Sequence, residues 1–176
     1  MKSKITLTSP LLIILFFLNS ASASVWFEPY AGYEIGDQEI GTTSYDSSGL
    51  NLGFRLGAKM TSLFFGLDYT LGDLTVDKTN NDEDLKTKDL GVFVGNDFGT
   101  LRLWFTYWLD SEGDSDSSDC EGSGGYKFGL GFKAFSSASL NVEKTLRSWD
   151  ECGGNKQNPE IEIDSILFSL SLPFSL

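Results

Sequence analysis

The chain has 176 residues, with 13 Lys+Arg against 25 Asp+Glu, no His, 14 Phe and 19 Gly. That length makes one domain. A formal charge of −12 argues against a nucleic-acid partner, whose phosphates need Lys and Arg to displace counterions.

MKSKITLTSP carries Lys2 and Lys4, LLIILFFL (11–18) is apolar, and Ala21-Ser22-Ala23 is a small-x-small cleavage site. This is the layout of a secretory signal peptide spanning 1–23. Its eight-residue apolar run is too short for a spanning helix, which needs about 20 residues. The mature chain, 24–176, then keeps 11 basic and 25 acidic residues, a formal charge of −14.

No later segment has a helical period. What recurs is apolar–polar alternation with period 2, the mark of half-buried strands. VWFEPYAGYEI (25–35) puts Phe27, Ala31, Tyr33 and Ile35 on one face. GLNLGFRLGAKM (49–60) sets Leu50, Leu52, Phe54, Leu56, Ala58 and Met60 against Asn51, Gly53, Arg55, Gly57 and Lys59. LFFGLDYTL (63–71) sets Leu63, Phe65, Leu67, Tyr69 and Leu71 against Phe64, Gly66, Asp68 and Thr70. DLGVFVGND (89–97) and LRLWFTYWL (101–109) continue the pattern, with Phe93, Arg102, Trp104 and Trp108 on their more polar or glycine-rich faces. YKFGLGFKA (126–134), SLNVEKTLR (139–147) and ILFSLSLPF (166–174) complete eight strands.

The connections alternate long and short. Long stretches of DQEIGTTSYDSSG, GDLTVDKTNNDEDLKTK, DSEGDSDSSDCEGSGG and SWDECGGNKQNPE type alternate with tight turns near Thr61, at FGT and near Ser136–Ser137. Up-and-down barrels place alternate connections at opposite ends, and outer-membrane barrels have short turns at one end and long loops at the other.

Which face meets water follows from volume. Eight strands enclose an interior just wide enough for side chains or one small ligand, and a full set of Leu, Phe and Tyr would overfill it. The glycine-rich face suits a narrow lumen and carries Arg55, Lys59, Asp68, Arg102, Glu143 and Arg147, near parity of sign. The apolar face, with Lys144 its clear charged exception, therefore faces lipid. Trp26, Tyr33, Tyr69, Tyr107 and Tyr126 fall near strand ends, where interfacial girdles sit. The fold read from the residues is an all-β, eight-stranded antiparallel up-and-down transmembrane β-barrel over 24–176.

On these strands the chain resembles the small eight-stranded outer-membrane β-barrel proteins, the broad OmpA-like and OmpX-like class. ILFSLSLPF resembles the last-strand signal read by the barrel-assembly machinery, although here Ser175 and Leu176 follow the aromatic Phe174. The resemblance implies the outer membrane of a Gram-negative bacterium, with outer-membrane lipid and lipopolysaccharide as surroundings and the assembly machinery as a partner in biogenesis. It fixes fold far better than activity.

An open channel usually takes about 16 strands, and Phe64, Phe93, Trp104 and Trp108 are expected to block this lumen. Barrel enzymes of this size lean on histidine; a histidine-independent catalyst would use Lys59, Asp68 or Glu143 with a nucleophile, but buried charges are ordinarily paired. The expectation is no enzyme, no cofactor and no metal. Asp110, Glu112, Asp114 and Asp116 alternate like ligands of a calcium loop, yet Ser115 stands where that loop wants Gly. A solvated acidic tip, able to recruit divalent cations toward lipopolysaccharide, is the simpler reading. Cys120 and Cys152 lie in neighbouring long connections, and an even cysteine count in a secreted chain favours a disulfide. Function is expected in the long acidic loops, as a structural or surface-interaction role with an unknown ligand. The alternatives are a soluble lipocalin-like carrier of an apolar ligand and a histidine-independent lipid-modifying barrel.

Overall fold

The structure, a computed structural model, describes residues 23–41, 43–78, 81–115, 118–122, 124–135 and 137–175. The expected signal peptide up to residue 22, Asp116 of the acidic alternation and the terminal Leu176 lie outside the described residues.

Ten strands form one sheet: β1 (Ala23–Ile40), β2 (Thr43–Met60), β3 (Leu63–Lys78), β4 (Asn81–Asp97), β5 (Leu101–Ser115), β6 (Asp119–Gly122), β7 (Gly125–Lys133), β8 (Ser139–Cys152), β9 (Asn155–Ser171) and β10 (Phe174–Ser175). β6 and β7 together fill the place between β5 and β8, and β9 and β10 together close on β1, so the ring has eight antiparallel staves. The closing seam runs from Glu39↔Glu162 to Tyr30↔Ser171 and resumes at Phe27↔Phe174 and Trp26↔Ser175. The interruption at Leu172–Pro173 lies beside Pro29, whose carbonyl accepts from the Leu172 N–H at 3.0 Å. A strand residue turns its N and C=O toward the same neighbour. The donor that Pro29 lacks therefore falls where the ladder is already broken.

Side-chain direction follows the period-2 pattern. Leu50, Leu52, Phe105, Phe128, Phe168 and Leu170 are exposed on the outside, while Asn51, Arg55, Asp68, Arg102, Lys127 and Glu143 are buried inside. Across a nine-residue segment such as 63–71 every outward residue is apolar, the length a tilted strand needs to cross a bilayer. The outward Tyr33, Tyr69, Tyr107 and Tyr126 sit near the upper edge of this band, as interfacial aromatics do. Trp26 corrects the sequence reading: it points inward, 2% exposed, and stacks on Phe64 at 5.3 Å. Lys144 lies within the band and pairs with Asp164 just above it, a charged head carried to the polar edge on an apolar stem.

The long connections are the larger correction. Among the described residues they are mostly strand: 18 residues in β1 and β2, 17 in β4 and β9, with β6 a separate four-residue piece in the third. Cys152 and Asn155 pair directly around Gly153–Gly154, both at positive φ (57° and 75°). That two-residue turn needs left-handed backbone at both positions, which glycine supplies without a Cβ clash. Four hairpin ends therefore project beyond the apolar band as ordered sheet.

An arginine at Leu52, 62% exposed on the lipid face, should lower barrel stability by about 2–4 kcal/mol if it sits near the bilayer midplane, and less nearer the edge. Refolding of Leu52→Arg into lipid vesicles, scored by heat-modifiable gel mobility, checks it. Wild-type refolding yield and stability would reverse the face assignment.

Candidate functional site

Two stacked layers of side chains fill the ring, and they differ in chemistry. The lower layer is a charge network. Arg102 from β5 reaches across to β1 and donates twice to Glu28, at 3.0 and 2.7 Å, and Ser171 donates to the same carboxylate at 2.5 Å. Arg55 lies 2.5 Å from Glu143, 3.4 Å from Asp68 and 3.6 Å from Glu28. Lys127 is 2.9 Å from Asp68 and 3.3 Å from Glu143, and donates to the Tyr30 hydroxyl at 3.1 Å. Tyr30 and Thr106 complete Asp68 with donated bonds of 2.9 and 3.0 Å. Higher up, Arg147 joins Glu34 (2.5 Å) to Asp89 (2.8 Å), with Asn51 and Ser165 also donating to Glu34.

Charges in such a place survive only when paired and hydrogen-bonded. The count agrees: Arg55, Arg102, Lys127 and Arg147, with Lys59 and Lys133 at the short-turn end, meet Glu28, Glu34, Asp68, Asp89, Asp97 and Glu143. The guanidiniums also stack on aromatics, Arg55 lying 4.3 Å from the Trp104 ring centre and 4.6 Å from that of Tyr30, an added attraction in a water-poor site. Trp104 has room because Gly129 faces it; a Cβ there would stand 2.0 Å from the indole. Below the charges, Trp26, Phe64, Phe93 and Trp104 form an aromatic cluster.

The sequence-derived lumen residues Arg55, Lys59, Asp68, Arg102, Glu143 and Arg147 all lie in this network. Glu28, Tyr30, Glu34, Asp89, Asp97, Lys127 and Lys133 were missed as members. The signal was present: each occupies the polar phase of a strand already recognised. Lys59, Asp68 and Glu143, the groups weighed for histidine-independent catalysis, are each held in ion pairs.

The upper layer inverts the polarity of the barrel. Above the band Leu74, Val76, Leu85, Trp149, Ile161, Ile163, Cys120 and Cys152 pack inward as an apolar core, with Tyr45 against it. Outward stand Asp73, Asp77, Asp84, Asp150 and Glu162. The strand register does not change. In β3, inward Asp68 and Thr70 give way to inward Leu74 and Val76, while outward Tyr69 and Leu71 give way to outward Asp73 and Asp77. DLTVD and EIEID are ordinary alternating strands of opposite phase, which is the signal that the loop reading overlooked. Trp149 joins the layers: its indole donates to Ser111 at 3.0 Å, and Ser111 donates to Asp89 at 2.6 Å.

Cys120 on β6 and Cys152 on β8 are direct ladder partners joined by a disulfide in this apolar core. They lie in strands rather than loops. Asp110, Glu112 and Asp114 of the proposed calcium alternation lie along β5. Glu112 pairs with Lys88 at 2.8 Å, and among the described residues no three His, Cys, Asp or Glu groups converge on a metal. Beyond the six lumenal carboxylates, the other nineteen of the 25 acidic residues fall within 37–46, 73–84, 110–121 and 150–164, the projecting stretches. Several face each other in register: Asp37 with Asp46 and Asp164, Glu39 with Glu162, Asp77 with Asp82, Glu112 and Glu151 with Glu121.

Trp149→Ala removes the keystone of the upper core and should cost about 3–5 kcal/mol, confined to the hairpins. Protease added to refolded vesicles should then cut the projecting strands and leave the membrane-embedded staves. Arg102→Ala takes from Glu28 its twofold donor, leaving it only Ser171 and Arg55 at 3.6 Å, and should cost up to about 3–5 kcal/mol of barrel stability, read as a lower unfolding temperature of the detergent-solubilised protein.

No protein-family model matches the chain, and no curated protein matches it in sequence. Solved structures do. The attachment invasion locus protein Ail of Yersinia pestis, in complex with the heparin analogue sucrose octasulfate, aligns at a TM-score of 0.60 and 11% identity, over 85% of this chain and 99% of its own. Ail without that ligand aligns at 0.58 with 11% identity, over 85% and 98%. The Neisserial surface protein A aligns at 0.53 with 15% identity, over 87% and 99%. Against an apolar exterior, a polar lumen and this agreement over nearly the whole length of those chains, the soluble-carrier alternative falls, and the fold is that of the small eight-stranded outer-membrane β-barrels.

Proposed function

We propose that this is an outer-membrane protein of a Gram-negative cell, with the short turns in the periplasm and the projecting hairpins outside. Its work is surface interaction by those hairpins. The observation that carries this is the second, apolar core above the membrane band: a protein that merely filled space in the bilayer has no use for packed, cross-linked sheet beyond it. Around that core lies most of the chain's net negative charge, because the lumenal charges cancel in pairs. A sulfated polyanion such as the one bound by Ail is repelled by such a surface. The partner it fits is cationic: a basic protein segment, or divalent cations bridging to lipopolysaccharide.

The same reading makes residues 1–23 a signal peptide cleaved after Ala23 and the closing strands the segment that the assembly machinery engages. It makes the lumen a plug, because Arg55, Arg102, Lys127 and Arg147 are tied across it and Trp26, Phe64, Phe93 and Trp104 fill its lower end. It assigns the lumenal carboxylates to structure and none to catalysis.

Fractionation should place the protein in the outer membrane with heat-modifiable mobility. The refolded protein should bind a lysine-rich peptide in a salt-sensitive manner and ignore heparin; preference for heparin would overturn the surface reading. Planar bilayers should show no large, stable conductance steps, and such steps from the wild type would return the protein to the porins.

A further inference from the structure

Three places outside the pairing already described invite a role: the outward acidic array, the lipid-facing grooves between outward side chains, and the cross-strand disulfide with the hairpin it closes. The array belongs to the surface already proposed, and the grooves show nothing that names an occupant. The disulfide does more, because its position dates its own formation. We infer that Cys120–Cys152 is closed in the periplasm before insertion and delivers the β6–β7 stave and β8 to the membrane as a stapled hairpin; this rests on the outer-membrane reading above.

Three observations lead there. First, in the finished barrel both cysteines face inward and are nearly sealed, packed with Leu74, Val76, Leu85, Trp149, Ile161 and Ile163. A protein-sized oxidant cannot reach them. Second, they lie at the projecting end, separated by the membrane band, about 30 Å of hydrocarbon, from the compartment where thiol oxidation is driven. Third, the pair needs no other stave in order to meet. The ladder runs from Lys133↔Ser139 at the short turn through Gly125↔Arg147 to Cys120↔Cys152 at the far end. The two sulfurs, 32 positions apart in sequence, therefore close one hairpin at its open end. A two-stranded hairpin alone in water is marginal; a cross-link at its open end holds both partner and register.

The chemistry is thiol–disulfide exchange with a periplasmic oxidant that carries a disulfide. The thiolate of one cysteine attacks an oxidant sulfur, forming a mixed disulfide and releasing the oxidant's other sulfur as a thiol. The second cysteine, as thiolate, then displaces the remaining oxidant sulfur. Two electrons pass to the oxidant, which leaves as a dithiol carrying the two protons, and the chain keeps one S–S bond. Assembly thereafter receives two strands already in register.

The test stalls outer-membrane assembly in cells, quenches thiols with acid, and tags free cysteines with a maleimide-polyethylene glycol after denaturation. The chain that accumulates unassembled should take up no tag. Unassembled chain with two free thiols, whether the assembled, heat-modifiable barrel then carries them or has oxidised them, would overturn the order of events. A second arm compares the rate at which pulse-labelled wild type and the Cys120→Ser/Cys152→Ser double variant acquire heat-modifiable mobility. The variant should be severalfold slower, and an equal rate would reject the staple. Wild type that never becomes heat-modifiable in unstalled cells would instead fault the outer-membrane reading itself.

Discussion

Hydrocarbon offers no hydrogen bonds, so every backbone N–H and C=O of this chain that crosses it must be paired by the chain itself. The closed ring follows from that, and so does the treatment of Pro29, whose missing donor falls at the one interruption of the seam. Closure then dictates the side chains. Each strand must show lipid one face and a narrow, water-poor lumen the other, and the lumen accepts charge only in matched groups. The network from Arg102–Glu28 up to Arg147–Glu34 is the consequence, with glycines wherever a large neighbour such as Trp104 needs the space.

The same constraint explains why the polarity inverts above the band. Once the strands pass the lipid edge, water surrounds the outside, and the apolar face belongs inside. β3 makes the exchange between Leu71 and Leu74 without changing pleat or register. Trp149, Ser111 and Asp89 join the two regimes through hydrogen bonds, so the projecting sheet stands on the barrel's polar core. Rigidity outside the membrane is thus built from ordinary soluble-protein packing, mounted on an inside-out base.

A rigid platform also holds its charges in place. Asp37 faces Asp46 and Glu39 faces Glu162 on paired strands, and directly opposed like charges disfavour the pairing that carries them. The hairpins tolerate this because the core beneath and the Cys120–Cys152 bond oppose splaying. Counter-charge from outside would relieve it, as the proposed cationic partner would supply.

Period-2 alternation is a local property, and it was enough to give the strands, the lipid face, the eight staves and the residues that line the lumen. Arg55, Asp68, Arg102, Glu143 and Arg147 were legible there because a charge in the glycine phase of such a strand has one place to go. The hairpin cores were legible too, in DLTVD and EIEID, but in a phase that only a lipid boundary makes sensible, so those stretches read as loops. Trp26 read as a girdle residue from its place near a strand end, although its phase, shared with Glu28 and Tyr30 and opposite to Phe27, already put it on the lumen face. What only the tertiary structure decided is which charges meet. Arg102 finds Glu28 and Arg147 finds Glu34 across the lumen, through the stagger of the closed ring, and stagger is a sum over every strand pairing that no single stretch of sequence contains.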